Sequence, residues 1–368
     1  MNLQVLLGRR NLINKAILPP SRIGIIGAGQ LAFYMALEAL KMGYKVSTFD
    51  PNPESPAKRV SDFTCASFDD FDALDKFASQ CDVITYEFEN MNIEHIESIN
   101  KKYHLPQGSK ILKHTAHRYE ELKMAQALGI PTVNSVYLEN GDSDKSDIYN
   151  LKLPLIVKTV RFGYDGKGQS RFYNYDHVEI ETESLVSELI DFDYEISLIL
   201  VRSNNEVQAY PPFYNVHKNS VLFTSQTIEK GLYKKAEEYA IAIAEAMEYE
   251  GTMAVEFFVK EGEIIFNEVA PRPHNSGHLT LSVSNKCQFK AHIEAICHLE
   301  IGPLYHYEPA LMVNQLGEEV VEARKFMVDS NIDHYEYGKE SIKPGRKMGH
   351  AVYRNDAMIK KLEELGNE

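Results

Sequence analysis

The stretch that most restricts how this chain can fold is 254–280, AVEFFVKEGEIIFNEVAPRPHNSGHLT. Two runs of β-branched and aromatic residues flank Lys260-Glu261-Gly262-Glu263, the pattern of a β-hairpin with glycine in its turn. With Gly262 at the middle of an odd-numbered loop, Glu256 faces Glu268 across the hairpin. Two bare carboxylates about 4 Å apart repel by roughly 4 kcal/mol at an effective dielectric of 20. Like charges are disfavoured at opposed sheet positions for this reason. A cation between them removes the conflict, and hard oxygen ligands suit Mg²⁺, completed by water and phosphate oxygens. A solvated face carrying two glutamates is the plain alternative, since charged side chains mostly sit exposed. The continuation Asn267-Glu268-Val269-Ala270-Pro271-Arg272-Pro273-His274-Asn275-Ser276-Gly277-His278 favours a site: the prolines end the strand, and the loop is dense in side chains that bind rather than merely turn. Strict alternation sets Asn267 and Glu268 on opposite faces, so both reach one site only where the strand bulges or ends.

A chain of 368 residues is long enough for two or three domains. Its net charge of −14 argues against a general nucleic-acid binder, which needs a basic surface. Cys65, Cys81, Cys287 and Cys297 are far apart and have no zinc spacing. Free thiols in a reducing cytoplasm are the expectation. No apolar run approaches the length of a membrane span. The basic, acid-free residues 1–22 read as a short N-terminal arm.

Along the chain, 22–26 is an apolar strand and Gly27-Ala28-Gly29-Gln30-Leu31-Ala32 opens a helix ending at Gly43. A second strand, 45–49, closes on Asp50. This βαβ unit carries a G-x-G-x-x-A turn with an acid about 20 residues on, a dinucleotide signal when taken alone. The same turn serves any anion presented to a helix N-terminus. A helix over 71–80 and a strand over 82–88 lead to Glu87-Phe88-Glu89-Asn90, acids at the strand end where open α/β sheets bind ligands. Arg118 begins a helix that stops at Gly129-Ile130-Pro131. Lys158 sits in an apolar strand over 153–160, followed by Arg161-Phe162-Gly163-Tyr164-Asp165-Gly166-Lys167-Gly168-Gln169 and a strand over 170–175. Three glycines between two strands make a flap whose backbone can approach phosphates, similar in layout to the protein-kinase glycine loop and strand lysine. A ligand-free glycine turn has the same composition. An unpaired ammonium among apolar neighbours is costly, and this favours a role for Lys158. A strand or linker over 185–191, a strand over 198–202, a hairpin at Asn215-Val216-His217 and a helix over 234–249 follow. Short strands return after Gly302, with basic Gly345-Arg346-Lys347-Met348-Gly349-His350.

Thr85-Tyr86-Glu87-Phe88-Glu89-Asn90, the 163–169 flap, the run Asn267 to His278, and Arg346-Lys347-Met348-Gly349-His350 together resemble the 5-(carboxyamino)imidazole ribonucleotide synthase family of the ATP-grasp superfamily. The resemblance runs in order from Ile23 to His350. It implies a mixed α/β and α+β chain in three parts after the arm: a Rossmann-like pre-ATP-grasp domain over 23–117, the ATP-grasp domain over 118–302, and a small C-terminal β-rich domain over 303–368. ATP, Mg²⁺, bicarbonate and 5-aminoimidazole ribonucleotide are the implied reactants, in a cytoplasmic homodimer without nucleic-acid or membrane partners.

By the same resemblance, Arg118 and Lys158 contact nucleotide phosphates under the flap formed by Gly163, Tyr164, Asp165, Gly166, Lys167, Gly168 and Gln169. Glu188 to Ile190 hold adenine and Glu195 takes the ribose hydroxyls, while His217 and Asn267 line the nucleotide site. Glu256 and Glu268 carry metal. Lys339 and Arg346 clamp the ribonucleotide phosphate, and Tyr164, Asp165, Arg272 and His274 face the imidazole or bicarbonate. Ser187 and Tyr214 stand where relatives have glutamates. The implied reaction is bicarbonate attack on the γ-phosphoryl of ATP, then capture of the carboxyl group by the ribonucleotide amine. Alternatives are an ATP-grasp ligase for another amine and a dinucleotide-dependent oxidoreductase.

Overall fold

The computed structural model describes residues 16–140, 146–161, 163, 168–228 and 233–366, and within them the chain builds three sheets in sequence order. The first is parallel: β1 (Arg22–Ile26), β2 (Lys45–Asp50), β3 (Asp62–Cys65) and β4 (Val83–Tyr86), ordered β3-β2-β1-β4. Parallel strands are covered on both faces, which is why they read as apolar runs. Ile23, Ile25 and Val83 meet Leu31, Met35 and Ala39 of the helix Gln30–Lys41 on one face. Ile26 and Ile84 meet the helices Phe71–Ala78 and Ile93–Lys102 on the other. Asp70 and Asn92 cap those two helices by accepting first-turn N–H groups.

The second sheet is antiparallel: β5 (Ser135–Leu138), β6 (Leu155–Thr159), β7 (Gln169–Phe172) and β8 (Ser184–Glu188), ordered β5-β8-β6-β7. Leu155 and Val157 of β6 enter its core with Leu138 and Val186. Alternation then turns Ile156 and Lys158 to the opposite side, where a cleft lies.

The third sheet has nine strands: β9 (Tyr194–Ser203), β10 (Glu206–Ala209), β11 (Phe213–Lys218), β12 (Val221–Thr227), β13 (Gly251–Lys260), β14 (Glu263–Ala270), β15 (Ala310–Leu316), β16 (Ile332–Glu336) and β17 (Lys347–Arg354). Their order is β14-β13-β9-β11-β12-β15-β17-β16, with β10 beside β9. Strands from the C-terminal part therefore extend the sheet that holds the hairpin. The helix Lys234–Ala246 sets Ala236, Ala240, Ile243 and Ala244 along one stripe against Leu198, Leu200, Val255 and Phe257. The helix Gln288–Ile296 is buried at every position except Lys290. Its Phe289, Ile293 and Ile296 pack against the helix Gln30–Lys41, and its Ala291 and Ala295 against β9 and β13, so it ties the first sheet to the third.

The hairpin reaches the expected pairing by a different route. Lys260 pairs with Glu263, so the loop is the two residues Glu261 and Gly262, with φ of 52° and 82°. Two left-handed residues match the twist of the flanking strands, and the loop is not odd-numbered. An even loop by itself would set Glu256 opposite Asn267. A bulge at Asn267 restores Glu256 opposite Glu268, with Phe257 opposite Phe266. The same extra residue lets Asn267 and Glu268 both face the cleft.

Candidate active site

A cleft of about 850 Å³ is lined by strands of the second and third sheets and by the loops that follow β1 and β4 of the first. On the third sheet, Glu195 of β9 lies opposite Phe258 and Glu256 of β13 opposite Ser197, so the two glutamates share a face with Glu268 of the adjacent strand. Glu256 is buried, and its Oε1 has no hydrogen-bond partner among the described residues. His274 Nδ1 stands 3.7 Å away. Burial first, and Glu268 second, push the Glu256 carboxyl up to about 8. A buried carboxylate without a donor is unstable as it stands, so this position calls for a proton or a cation. A pair of carboxylates facing a phosphate-sized cleft fits Mg²⁺, which takes most of its shell from water and substrate. Among the described residues, no group of three or more His, Cys, Asp or Glu is arranged to hold a metal.

Cations stand beside this pair. Arg118 Nη1 is 3.5 Å from Glu268 Oε2, and its Nη2 donates to the Gly163 carbonyl at 3.2 Å. The Lys158 ammonium makes no hydrogen bond or ion pair with another described residue. Burial, then the neighbouring Arg118, hold its ammonium below the usual lysine range. His217 Nδ1 lies 2.7 Å from Glu195 Oε2. Burial opposes charge on the imidazole, but the glutamate contact outweighs it and raises the pKa.

Glu121, absent from the sequence-based site, is buried one turn after Arg118 on the helix Arg118–Ala127 and accepts the Val269 N–H at 2.7 Å. Burial and then Glu268 push its carboxyl up to about 8. The available signal was its spacing of three from Arg118, which puts both on one helix face.

Next to the Glu256–Glu268 pair the cleft is lined by Arg272 and His274. Arg272 forks onto Glu89, Nε to Oε2 at 2.5 Å and Nη2 to Oε1 at 2.6 Å. His274 Nδ1 contacts Ser276 Oγ at 2.9 Å, and burial, then Arg272, drive its pKa well below the ordinary histidine value. Its imidazole is therefore neutral. Of the basic C-terminal cluster, Lys347 lines the cleft while Lys339 and Arg346 do not. Lys339 Nζ donates to the Lys347 carbonyl at 2.5 Å, and Arg346 Nη1 to the Ser341 carbonyl at 3.1 Å.

Glu188, Ile190, Gly163, Gln169 and Asn267 also line the cleft, and Gly168 does not. Tyr164, Asp165, Gly166 and Lys167 lie outside the described residues, as do residues 1–15 of the N-terminal arm. The Glu188 N–H bonds the Asn134 carbonyl at 3.0 Å and the Leu189 N–H the Pro154 carbonyl at 2.8 Å, fixing the hinge segment. Gln169 Nε2 donates to Ser220 Oγ at 2.9 Å, fastening the base of the flap to the third sheet.

The glycine turn of the first sheet is already filled. The N–H groups of Gly29 and Ala32 donate to the Glu87 carboxylate, the latter at 3.0 Å. Asp50 accepts from Ala28 N–H at 2.9 Å, Asn52 N–H at 2.8 Å and Ser55 Oγ at 3.0 Å. Gly27 has φ of 102°, and a Cβ there would meet Glu87 Cγ at 2.4 Å. An internal carboxylate thus occupies the helix N-terminus where a dinucleotide pyrophosphate would lie, and Asp50 serves the turn. Burial pushes Glu87 up to about 7 despite its two N–H donors.

The chain is similar to known proteins over nearly its whole length. The model of the ribonucleotide synthetase preATP-grasp domain matches residues 21–114, and that of the ATP-grasp domain residues 123–289. The model of the phosphoribosylaminoimidazole carboxylase C-terminal domain matches residues 310–363. The N5-carboxyaminoimidazole ribonucleotide synthase of Bacillus subtilis (strain 168) is 38% identical over 369 residues, covering 96% of each chain. Among solved structures, the ADP complex of an N5-carboxyaminoimidazole ribonucleotide synthetase superposes with a TM-score of 0.89 at 37% identity. It covers 96% of this chain and 97% of its own. The ADP complex of the Staphylococcus aureus N5-carboxyaminoimidazole synthetase gives 0.89 at 31% identity, covering 96% and 98%. With likeness of this degree across nearly its whole length, the chain belongs to the N5-carboxyaminoimidazole ribonucleotide synthase family of ATP-grasp proteins.

Proposed function

We propose that the cleft performs its family's reaction: ATP-dependent carboxylation of 5-aminoimidazole ribonucleotide with bicarbonate, giving the carboxyamino product, ADP and phosphate in purine biosynthesis. The single observation that carries this assignment is that one cleft holds two adjoining groups of side chains. Glu256, Glu268, Arg118 and Lys158 are suited to nucleotide phosphates, and Arg272, His274 and Lys347 to an anionic carboxyl acceptor. Both open on the same space, as transfer of a short-lived carboxyl phosphate requires.

Mg²⁺ held by Glu256 and Glu268 would neutralise charge on the β- and γ-phosphates. Lys158 and Arg118 add fixed positive charge next to it, and phosphoryl transfer asks mainly for such positioning and charge stabilisation. A bicarbonate oxygen attacks the γ-phosphorus as the bond to the ADP oxygen breaks, giving carboxyphosphate. The ribonucleotide amine nitrogen then bonds the carboxyl carbon as phosphate leaves, and the amine gives up one proton. The departing phosphate takes that proton, while His274, neutral and buried with its Nδ1 accepting the Ser276 N–H, would orient the acceptor. Arg272, held by Glu89, orients the carboxyl group. The 163–169 flap keeps water from carboxyphosphate, a gating role its glycines permit.

Glu188 to Ile190 serve the adenine, Glu195 and His217 the ribose, and Lys347 in place of Lys339 and Arg346 the ribonucleotide phosphate. The parts 23–117, 118–302 and 303–368 are the working division of the chain. A cytoplasmic homodimer without nucleic-acid partners completes the proposal, supported by the family likeness and the charge of −14. No helix among the described residues is long and apolar enough to cross a membrane. Phosphate release that needs ATP, bicarbonate and the aminoimidazole ribonucleotide together tests the reaction. Release with the ribonucleotide omitted, or with another amine in its place at equal rate, would reject this substrate.

A further inference from the structure

We propose that Glu121 is a positioning residue that fixes the register of β14 and so aims Glu268 into the cleft; this rests on the metal role given to Glu268 above. β14 is the terminal strand of its sheet, so its outward N–H groups have no strand partner. Two of them are met from elsewhere: Phe266 N–H by the Pro131 carbonyl at 2.8 Å, and Val269 N–H by Glu121 Oε1 at 2.7 Å. In an unbroken antiparallel strand, outward groups recur at every second residue. These two are three residues apart, and the extra residue at Asn267 accounts for the difference. Pro131 and Glu121 thus bracket the bulge from the outer side.

Val269 is buried, so removing Glu121 would leave its N–H without an acceptor away from water. The unbulged register, with Glu256 opposite Asn267, sends Glu268 to the other face, because a slip of one residue inverts every side chain beyond it. Glu121 also shares its helix face with Arg118, so one rigid element supplies the cation beside Glu268 and the acceptor for the residue after it. What the clamp needs is an acceptor oxygen at this reach, and a glutamine offers one.

The test compares the full-length wild type with Glu121→Gln and Glu121→Ala. Amide exchange is followed in the 263–270 segment, and the Mg²⁺ concentration that half-saturates ADP binding is measured calorimetrically. Glu121→Ala is expected to raise exchange across 263–270 and to increase the half-saturating Mg²⁺ about tenfold, with KM for the ribonucleotide unchanged. Glu121→Gln is expected to keep wild-type exchange and Mg²⁺ dependence. Unchanged exchange in Glu121→Ala, or a Glu121→Gln as impaired as the alanine, overturns the clamp. If Glu121→Ala does not fold, Glu121→Asp, one methylene too short, must show the same two shifts in smaller degree. An aspartate variant equal to wild type counts against the clamp. A wild type that binds ADP without Mg²⁺ would defeat the metal role of Glu268, while exchange at 263–270 still judges the clamp.

Discussion

Replacing Glu89 by glutamine removes the charge that holds Arg272 in place. The two side chains meet through a pair of short, charge-assisted hydrogen bonds and retain only 25% and 18% of their accessible surface. In the glutamine variant one amide oxygen can still accept, but the other position becomes an NH2 that repels the guanidinium, which otherwise keeps a contact of 3.2 Å to the Pro273 carbonyl. Breaking a buried pair by removing one partner costs about 3–5 kcal/mol, because the remaining charge is left unpaired. The residual exposure here places the loss near the lower end, about 3 kcal/mol. At roughly 2 °C per kcal/mol for a chain of this size, Tm should fall by about 6 °C. The decisive measurement is a double-mutant cycle of Glu89→Gln and Arg272→Met by thermal unfolding. Arg272→Met should be far less damaging once Glu89 is gone, with a coupling of about 2 kcal/mol or more. A Tm change below 1 °C for Glu89→Gln, or additive losses in the double mutant, would show that the pair does not hold the two sheets together. The sign with pH is also fixed. Burial works against the Glu89 charge, but Arg272 outweighs it and lowers the pKa. The stabilisation is therefore complete above the ordinary carboxylate range and disappears only as the pH falls through the depressed value.

Glu268→Gln should keep the fold and lower Mg²⁺-dependent ATP turnover by about 100-fold; turnover close to wild type would remove Glu268 from the metal site. Because the Glu256 carboxyl is pushed up to about 8, metal binding at pH 7 should release close to one proton and tighten as the pH rises toward 8. Calorimetry in buffers of different ionisation heat reads this directly, and heats independent of buffer would contradict it. The same raised value means that the metal-free fold keeps a proton the unfolded chain loses, so this group's contribution falls as the pH climbs from 4.5 through 8. Lys347→Ala should raise KM for the ribonucleotide about tenfold, the worth of one charge-assisted hydrogen bond. Arg346→Ala should change it little, and equal effects would restore the sequence-based assignment.

What could be read along the chain was whatever depends on near neighbours. The apolar run of β1, the helix following Gly29, the hairpin around Glu261-Gly262 and the prolines that end β14 announce themselves through local sterics and period, which act within a few residues. Glu256 opposite Glu268 was reached on an odd loop that the structure does not have; a two-residue loop and the bulge at Asn267 give the same pairing. Lys158 stood out because an ammonium among apolar neighbours needs a reason.

Three facts had no local trace. Glu87 fills the glycine turn from 58 residues away, and this is what separates the turn from a dinucleotide site with the same letters. Glu89 reaches Arg272 across 183 residues. Glu121 meets Val269 across 148. Each is a polar group that burial would penalise on its own, and its partner is set by how sheets and helices pack, not by spacing in the chain. Sequence alone determined the apolar strands, the hairpin and the helix after the glycine turn, because these depend on near neighbours. Packing alone decided which charges are neutralised internally and which are left for a ligand, because electrostatic partners are chosen by distance in space.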